Sequence, residues 1–186
     1  MRARRGNSIR IIGGKWRSRI ICFPDSADLR PTPDRVRETL FNWLGQDLTG
    51  RSCLDLYAGS GALGFEALSR GASAVTMVEQ SPEACRVLQQ NAALLGAEAL
   101  TIECGDALEF VARAQASFDV IFLDPPFRQG VPKELWRRMP ACLAEFGVIY
   151  LEAGAAFDDA PPSRFTVVRK RRAGNVHYHL IRRNEP

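Results

Sequence analysis

The sequence predicts an α/β protein with a doubly wound, mostly parallel seven-stranded sheet that ends in a C-terminal antiparallel hairpin. From residue 53 onward, apolar strand-like runs alternate with segments of helical spacing, which is typical of doubly wound sheets. The run over residues 118–123 is apolar at almost every position, as in strands that are buried on both faces. The last two strand-like segments flank Ala173-Gly174-Asn175, which indicates a hairpin.

The predicted elements follow one another in regular order. A helix over residues 32–44 comes first, because apolar residues recur there at helical spacing. Strands are predicted over residues 53–57, 74–79, 100–104, 118–123, 147–151, 165–171 and 176–182, and further helices over residues 62–70, 81–95, 106–114 and 133–143. Ser81 followed by Pro82 favours a helix start, and Gly96 favours a helix end.

Length and composition predict one domain with a basic extension. The 186 residues are 46% hydrophobic and 25% charged, values that are typical of a globular domain. No apolar run approaches the roughly 18 residues of a membrane helix, and the basic start lacks the apolar stretch of a secretory signal. We therefore expect residues 1–30 to form a basic N-terminal arm and residues 31–186 to form one domain.

Positive charge is concentrated at the two ends of the chain. Residues 1–19 contain seven basic residues and no acidic one, and residues 164–186 contain seven basic residues and one acidic one. The segment between them is acidic, although the whole chain has a net charge of +4. A polyanion is attracted to such ends, so nucleic acid is the predicted partner. The alternative, a solvated basic tail at each end, does not explain the apolar residues interleaved with the charges.

The cysteines and histidines predict neither a disulfide framework nor a metal site. The five cysteines are odd in number, the closest two, Cys85 and Cys104, are 19 residues apart, and most lie in apolar runs, where cysteine acts as a small hydrophobe. Free thiols fit a reducing cytoplasm, which is the expected location. His177 and His179 would share one face of a strand, but they have no acidic or cysteine neighbour, so no metal is expected.

A glycine-rich turn follows the first strand of the alternating region. Residues 59–64 (GSGALG) fit the pattern G-x-G-x-x-G, and Glu79 ends the next strand 20 residues after Gly59. Together they match the dinucleotide fingerprint, so an NAD-dependent oxidoreductase is one interpretation. Asp55 argues against NAD, because a carboxylate four residues before Gly59 would repel a diphosphate and suits a ligand with an ammonium group.

S-adenosylmethionine fits these residues better, because it has an α-amino group, a sulfonium and a ribose but no phosphate. In this interpretation Asp55 partners the amino group through water, Glu79 binds the ribose, and Asp106 accepts a hydrogen bond from the adenine amine. Gly59 and Gly61 lie under the methionine part. The cofactor-binding residues predicted in this way are Asp55, Tyr57, Gly59, Ser60, Gly61, Glu79, Gln80, Ser81, Asp106, Ala107 and Asp124.

The run Asp124-Pro125-Pro126-Phe127 directly follows the apolar strand over residues 118–123. Successive prolines remove two N–H donors, so the surface offers two acceptors, the Asp124 carboxylate and the Pro125 carbonyl. They would hold both hydrogens of an exocyclic base amine and aim its lone pair at a sulfonium methyl. Phe127 offers a face on which the base stacks. We predict that these four residues are catalytic; taken alone, the run is also typical of a rigid loop with a core aromatic residue.

These motifs resemble those of a known family. Asp55, the glycine turn and the Asp-Pro-Pro-Phe run resemble class I amino-methyltransferases, which have a Rossmann-like fold. The chain as a whole is similar to the bacterial RsmD family of 16S ribosomal RNA guanine-N2 methyltransferases, through residues 10–17 (RIIGGKWR), 29–32 (LRPT) and 35–42 (RVRETLFN). The catalytic motifs are shared with DNA adenine and protein glutamine methyltransferases, whereas the Gly-Gly-Lys and Arg-Pro-Thr segments make the match specific.

The resemblance implies methyl transfer from S-adenosylmethionine to the N2 amine of one guanine in 16S ribosomal RNA, in an assembled or assembling small subunit, by a monomer. It also implies that residues 30–39 cover the pocket, which adds Arg35 and Thr39 to the cofactor-binding set. Phosphate contacts are expected from Arg10, Lys15, Arg17, Arg19, Arg30, Lys170, Arg171 and Arg172. The alternatives are a DNA adenine-N6 or protein glutamine methyltransferase and a non-catalytic RNA-binding module.

Overall fold

A seven-stranded sheet lies at the centre of the protein. The computed structural model describes residues 7–25, 31–126, 130–153 and 163–184. The strands are β1 (Asn7–Arg10), β2 (Ile20–Phe23), β3 (Ser52–Asp55), β4 (Ala74–Glu79), β5 (Leu100–Cys104), β6 (Phe118–Leu123), β7 (Leu143–Ala153), β8 (Phe165–Ala173) and β9 (Val176–Arg183). The sheet order is β5-β4-β3-β6-β7-β9-β8; β3 to β7 are parallel, and β9 is antiparallel to both β7 and β8. The predicted sheet and its terminal hairpin are confirmed.

Helices cover both faces of this sheet. They are α1 (Asp34–Leu44), α2 (Ala62–Ser69), α3 (Pro82–Leu95), α4 (Ala107–Arg113) and α5 (Lys133–Cys142). Apolar residues of α1, α2 and α3 pack with Val75 and Phe122 in one core cluster, and those of α4 and α5 pack with Leu54 and Ile121 in another. Since successive strand residues point to opposite faces, each central strand contributes to both clusters, which explains why β6 is apolar at every position except Asp119.

The helix ends follow from local sequence. The Ser81 hydroxyl accepts a hydrogen bond from the Ala84 N–H at 3.3 Å, and Gly96 ends α3 in the left-handed conformation, as predicted. The first helix begins at Asp34 rather than at residue 32, with Pro33 at its extended N-cap. Thr32 precedes that proline, and a residue before proline is disfavoured in helical conformation.

β7 is longer than the apolar run that predicted it. It begins at Leu143, directly after α5, and Leu143 pairs with Phe118 at the start of β6. Residues 144–146 (AEF) are partly or fully exposed and precede Gly147, at which the predicted strand began. The pairing of Leu143 with Phe118, which periodicity does not reveal, extends the strand back to Leu143, and the register shifts between this pair and the pair of Val120 with Val148.

The described part of the N-terminal arm packs on the domain. β1 and β2 form an antiparallel pair, and Ile11, Trp16 and Ile21 are buried in the same core cluster as α1, α2 and α3. The Trp16 N–H donates to the Ser69 hydroxyl on α2 at 2.9 Å. Residues 7–25 therefore form an ordered layer against α2 and α3 rather than a detached tail.

One cysteine pair differs from the prediction. Cys85, in the first turn of α3, and Cys104, at the end of β5, have their sulfur atoms in bonding contact as a disulfide, with Cα atoms 5.9 Å apart. The expectation that no disulfide forms was wrong for this pair, because folding brings together residues that are distant in sequence. Cys22, Cys53 and Cys142 are free thiols. Among the described residues, no helix is long and apolar enough to cross a membrane, and no group of three or more His, Cys, Asp or Glu side chains is arranged to hold a metal.

Candidate active site

The predicted cofactor and acceptor motifs meet at the carboxyl end of the parallel sheet. Asp55 on β3 lies in register with Met77 on β4 and with Phe122 on β6. Glu79 and Asp124 follow two residues after Met77 and Phe122, respectively. Since residues two apart on a strand share a face, the three carboxylates project from the face that α1, α2 and α3 cover. Asp55 and Asp124 therefore belong to adjacent strands, as the predicted chemistry requires.

The protein's own acids occupy the N–H groups of the glycine turn. The Gly59 N–H donates to Glu79 Oε2 at 2.8 Å, and the Gly64 N–H, in the first turn of α2, donates to Asp55 Oδ2 at 3.1 Å. In dinucleotide sites the corresponding N–H groups bind the pyrophosphate. Because carboxylates take these donors here, the turn is built for a ligand without a diphosphate.

The glycine turn also requires glycine for packing. Gly61 has a φ of +76°, and a Cβ atom there would lie 2.6 Å from Leu88 and 2.7 Å from Phe65. A Cβ atom on Gly64 would collide with Met77 on β4. Glycine at these positions lets α2 begin close to the sheet, and this close approach places Asp55 beneath the first turn of the helix.

Burial alters the ionisation of the two central acids. Asp55 is 1% exposed, and burial raises its pKa to about 7, opposed by the hydrogen bond from the Gly64 N–H. Burial also raises the pKa of Asp124 well above its usual value, and the nearby charges of Glu152 and Asp55 raise it further. A cationic ligand would stabilise the ionised form of both groups. S-adenosylmethionine, with its ammonium and sulfonium groups, fits this acidic site.

Other predicted cofactor residues lie along the same edge. The Ser81 N–H donates to Glu79 Oε1 at 2.7 Å, which fixes the orientation of that carboxylate. Asp106 Oδ1 accepts from the Leu108 N–H at 2.8 Å, so it caps α4 as well. Tyr57 is half-buried, and burial raises its pKa to about 12, with a contribution from the charge of Asp106. Ser60 and Ala107 are buried, and Gln80 is exposed.

Some predicted residues are not brought into the acidic cluster. Thr39 donates to the Arg35 backbone carbonyl at 2.9 Å on α1, and within the described interactions neither residue contacts the acids of the site. Phe127 and Arg30 lie outside the described residues. The basic residues predicted to bind RNA are exposed on β1, the β1–β2 connection and β8, namely Arg10, Lys15, Arg17, Arg19, Lys170, Arg171 and Arg172.

The structure adds residues that the sequence interpretation missed. Glu152 on β7 is 2% exposed and interacts with Thr32 and Tyr150 beside Asp124. Asp55, Glu79 and Asp124 each follow the apolar residues of a strand. Glu152 follows those of β7 in the same way, so this sequence pattern could have identified it. The buried pair of Arg37 and Glu66, by contrast, has no local sequence signal, because it joins two helices.

The parallel sheet, the helices on both faces and the acids at the strand ends define a class I methyltransferase fold. The sequence model of the family described as conserved hypothetical protein 95 matches residues 9–182, and the chain belongs to this family, the RsmD family.

Similar proteins cover nearly the whole chain. Ribosomal RNA small subunit methyltransferase D of Escherichia coli K12 is 42% identical over 94% of this chain and 90% of its own length. The protein of the same name from Haemophilus influenzae is 38% identical over 92% of both chains. The solved structure of yhhF from Escherichia coli is 40% identical, covers 95% of this chain and 98% of its own, and superimposes with a TM-score of 0.86.

Proposed function

We propose that this protein transfers a methyl group from S-adenosylmethionine to the exocyclic N2 amine of a specific guanine in 16S ribosomal RNA of the small subunit. The observation that carries the proposal is the juxtaposition of Asp55 and the glycine turn on β3 with Asp124 after the adjacent strand β6. The names of the two bacterial relatives support ribosomal RNA of the small subunit as the substrate. The N2 position rests on the family resemblance.

The cofactor is held by the residues at the ends of β3, β4 and β5. Asp55 binds the α-amino group through water, because its carboxylate is buried beneath the turn. Glu79 accepts hydrogen bonds from the ribose while the Gly59 and Ser81 N–H groups hold it in place. Asp106 accepts from the adenine amine, since capping of α4 engages only its Oδ1 atom. S-adenosylmethionine supplies an electrophilic methyl group on its sulfonium.

Asp124 and the Pro125 carbonyl orient the acceptor amine. When both amine hydrogens are held by oxygen atoms, the nitrogen lone pair points away from them and toward the methyl carbon. The amine nitrogen would bond to that methyl carbon as the carbon–sulfur bond breaks, and the electron pair of the broken bond would stay on the sulfur. The nitrogen then loses one proton, which the Asp124 carboxylate accepts. Holding the two reactants in this geometry lowers the entropic part of the barrier.

The RNA would bind across the two basic ends of the chain. Exposed residues of the arm and of β8, among them Arg17 and Lys170, would contact phosphates. We further propose that the substrate is an assembled or assembling small subunit in the cytoplasm and that the enzyme acts as a monomer, with no metal required.

Mapping the methyl group tests this function. Small-subunit RNA from cells that lack the protein is expected to lose one N2-methylguanine, detected by mass spectrometry, and the purified protein with S-adenosylmethionine should restore it. Asp124→Ala should lower the rate at least about 100-fold and leave the Kd for S-adenosylmethionine within a fewfold range. The exposed Glu98→Ala variant is the control. Transfer to DNA adenine or to protein glutamine instead, or binding without transfer, would replace the proposal with one of its alternatives.

A further inference from the structure

A second carboxylate, that of Glu152, stands beside Asp124 at the end of the sheet. β6 and β7 are parallel, and Leu123 lies in register with Leu151, so Asp124 and Glu152 are the next residues on their strands. They share one face of the sheet, and adjacent strands lie about 4.8 Å apart. Glu152 is 2% exposed. The site therefore presents two neighbouring carboxylates where the acceptor base is expected.

Neutral hydroxyl groups, rather than basic side chains, contact this pair. The Tyr150 hydroxyl donates to Glu152 Oε1 at 2.9 Å, and the Thr32 hydroxyl lies beside both carboxylates and lowers the pKa of each. A threonine hydroxyl has one proton and donates to one acceptor at a time, so Asp124 and Glu152 keep acceptor capacity. Among the described residues, no Lys or Arg forms an ion pair with either carboxylate.

Burying two neighbouring carboxylates lowers the stability of the folded protein when no ligand is bound. Burial raises the pKa of Glu152 and of Asp124, because a buried charge without a positive partner is disfavoured. An apolar residue at the end of β7 would satisfy packing without that cost. A ligand that brings several donors removes the cost, since each donor stabilises one of the buried acceptors.

We propose that Glu152 determines specificity for guanine by accepting the N1–H hydrogen bond while Asp124 holds the N2 amine. This inference rests on the proposed function. The Watson–Crick edge of guanine presents the N1–H and the N2 amine side by side as donors, which matches two adjacent carboxylates. A flipped-out base is read by hydrogen bonds to this edge.

The same residue would reject the competing acceptors. The amine of adenine adjoins a bare N1 lone pair, and the amide of glutamine adjoins a carbonyl oxygen. Either acceptor would face the Glu152 oxygen that Tyr150 does not engage, so two acceptors would meet with no hydrogen between them, which is the basis of strong discrimination. The Asp-Pro-Pro run alone binds any planar amine, so Glu152 supplies the selectivity that the run lacks.

A base analogue that keeps the N2 amine but lacks the N1–H, together with the O6 carbonyl, tests this inference. Small-subunit particles are assembled on RNA with guanine or 2-aminopurine at the mapped position; both bases carry the N2 amine, but 2-aminopurine has a bare N1. Wild-type enzyme should prefer guanine at least about 100-fold in kcat/KM. Glu152→Gln should lose about tenfold on guanine and gain about tenfold on 2-aminopurine, because the amide N–H donates to the bare N1. Glu134→Gln, an exposed change on α5, is the control.

The outcomes separate the two proposals. If Glu152→Gln changes kcat/KM in opposite directions on the two bases and leaves the Kd for S-adenosylmethionine unchanged, Glu152 determines base specificity. A folding defect would instead lower kcat/KM on both bases. Equal losses on both bases would show that Glu152 is only structural and would overturn the inference. Equal use of both bases by the wild-type enzyme would overturn it without any variant. Absence of N2 methylation by the wild-type enzyme would refute the proposed function and this inference with it.

Discussion

Asp55 illustrates how burial changes the chemistry of a single carboxyl group. Its side chain is 1% exposed, and burial raises its pKa to about 7. Because this value exceeds that of the unfolded chain, near 3.8, the folded protein binds the proton more tightly. Ionisation of Asp55 therefore lowers the free energy of unfolding of the ligand-free protein as the pH rises from about 4 to about 7.

Cofactor binding should depend on pH through this group. An ammonium group favours the ionised carboxylate, so the Kd for S-adenosylmethionine should fall as the pH rises from 6 to 8, with proton release near pH 7. Asp55→Asn should weaken binding about 10- to 100-fold at pH 8 and flatten this dependence. Isothermal titration calorimetry in buffers of different ionisation enthalpy measures both effects. An equally steep pH dependence in the Asn variant would exclude Asp55 as its source, and Glu98→Gln should behave as wild type.

At the scale of elements, a buried ion network joins the N-terminal layer to α2. Glu66 is fully buried and accepts from the Ile12 N–H at 2.9 Å, from Arg37 at 3.3 Å and from Arg70 at 2.8 Å. Arg37, on α1, also donates to the Arg10 backbone carbonyl at 2.8 Å. The Glu66 carboxylate therefore links the N-terminal arm, α1 and α2.

Removing that charge should destabilise the protein and loosen the arm. Glu66→Gln leaves Arg70 without its carboxylate partner and Arg37 with Asp34 as its remaining one, so the free energy of unfolding should fall by about 3–5 kcal/mol. Urea unfolding measures this loss, and hydrogen exchange should show faster opening of the Ile12 N–H. Glu134→Gln removes exposed ion pairs to Arg137 and Arg138 and should cost at most about 1 kcal/mol. If the two variants lost similar amounts of unfolding free energy, the buried network would not be what holds the N-terminal layer to α2.

At the scale of the whole molecule, charge is divided between basic ends and an acidic middle. The carboxylates of the site lie in the middle segment, which suits a cationic cofactor and repels a polyanion. The exposed basic residues lie on the N-terminal layer and on β8. We therefore propose that RNA binds at the basic ends while a single base enters the acidic site.

This division predicts the salt dependence of RNA binding. Replacing Arg10, Lys15 and Arg17 with alanine should reduce the slope of log K against log salt concentration by about 2, because three phosphate contacts are lost. Filter binding at several salt concentrations measures the slope. A triple alanine variant of Arg113, Arg137 and Arg138, which form ion pairs with glutamates, changes the net charge equally and should leave the slope nearly unchanged. Equal slopes for the two variants would remove the arm from the binding surface.

The fold was largely predictable from periodicity and turn residues. The bounds of β4, β5 and β6 agree with the prediction, because their apolar runs end at turns and helix caps. β7 was predicted too short, since it extends back to Leu143 through the pairing of that residue with Phe118 on β6. The Cys85–Cys104 pair was missed because its partners lie on different elements.

The sequence by itself determined the order of strands and helices, the glycine turn and the acids at the strand ends, because each depends on residues that are close in the chain. Only the tertiary structure decided which strands are neighbours, and so placed Glu152 beside Asp124 and Glu66 against Arg37. Register between parallel strands arises from packing across the whole sheet. No local pattern contains that information, although it determines which carboxylates act together.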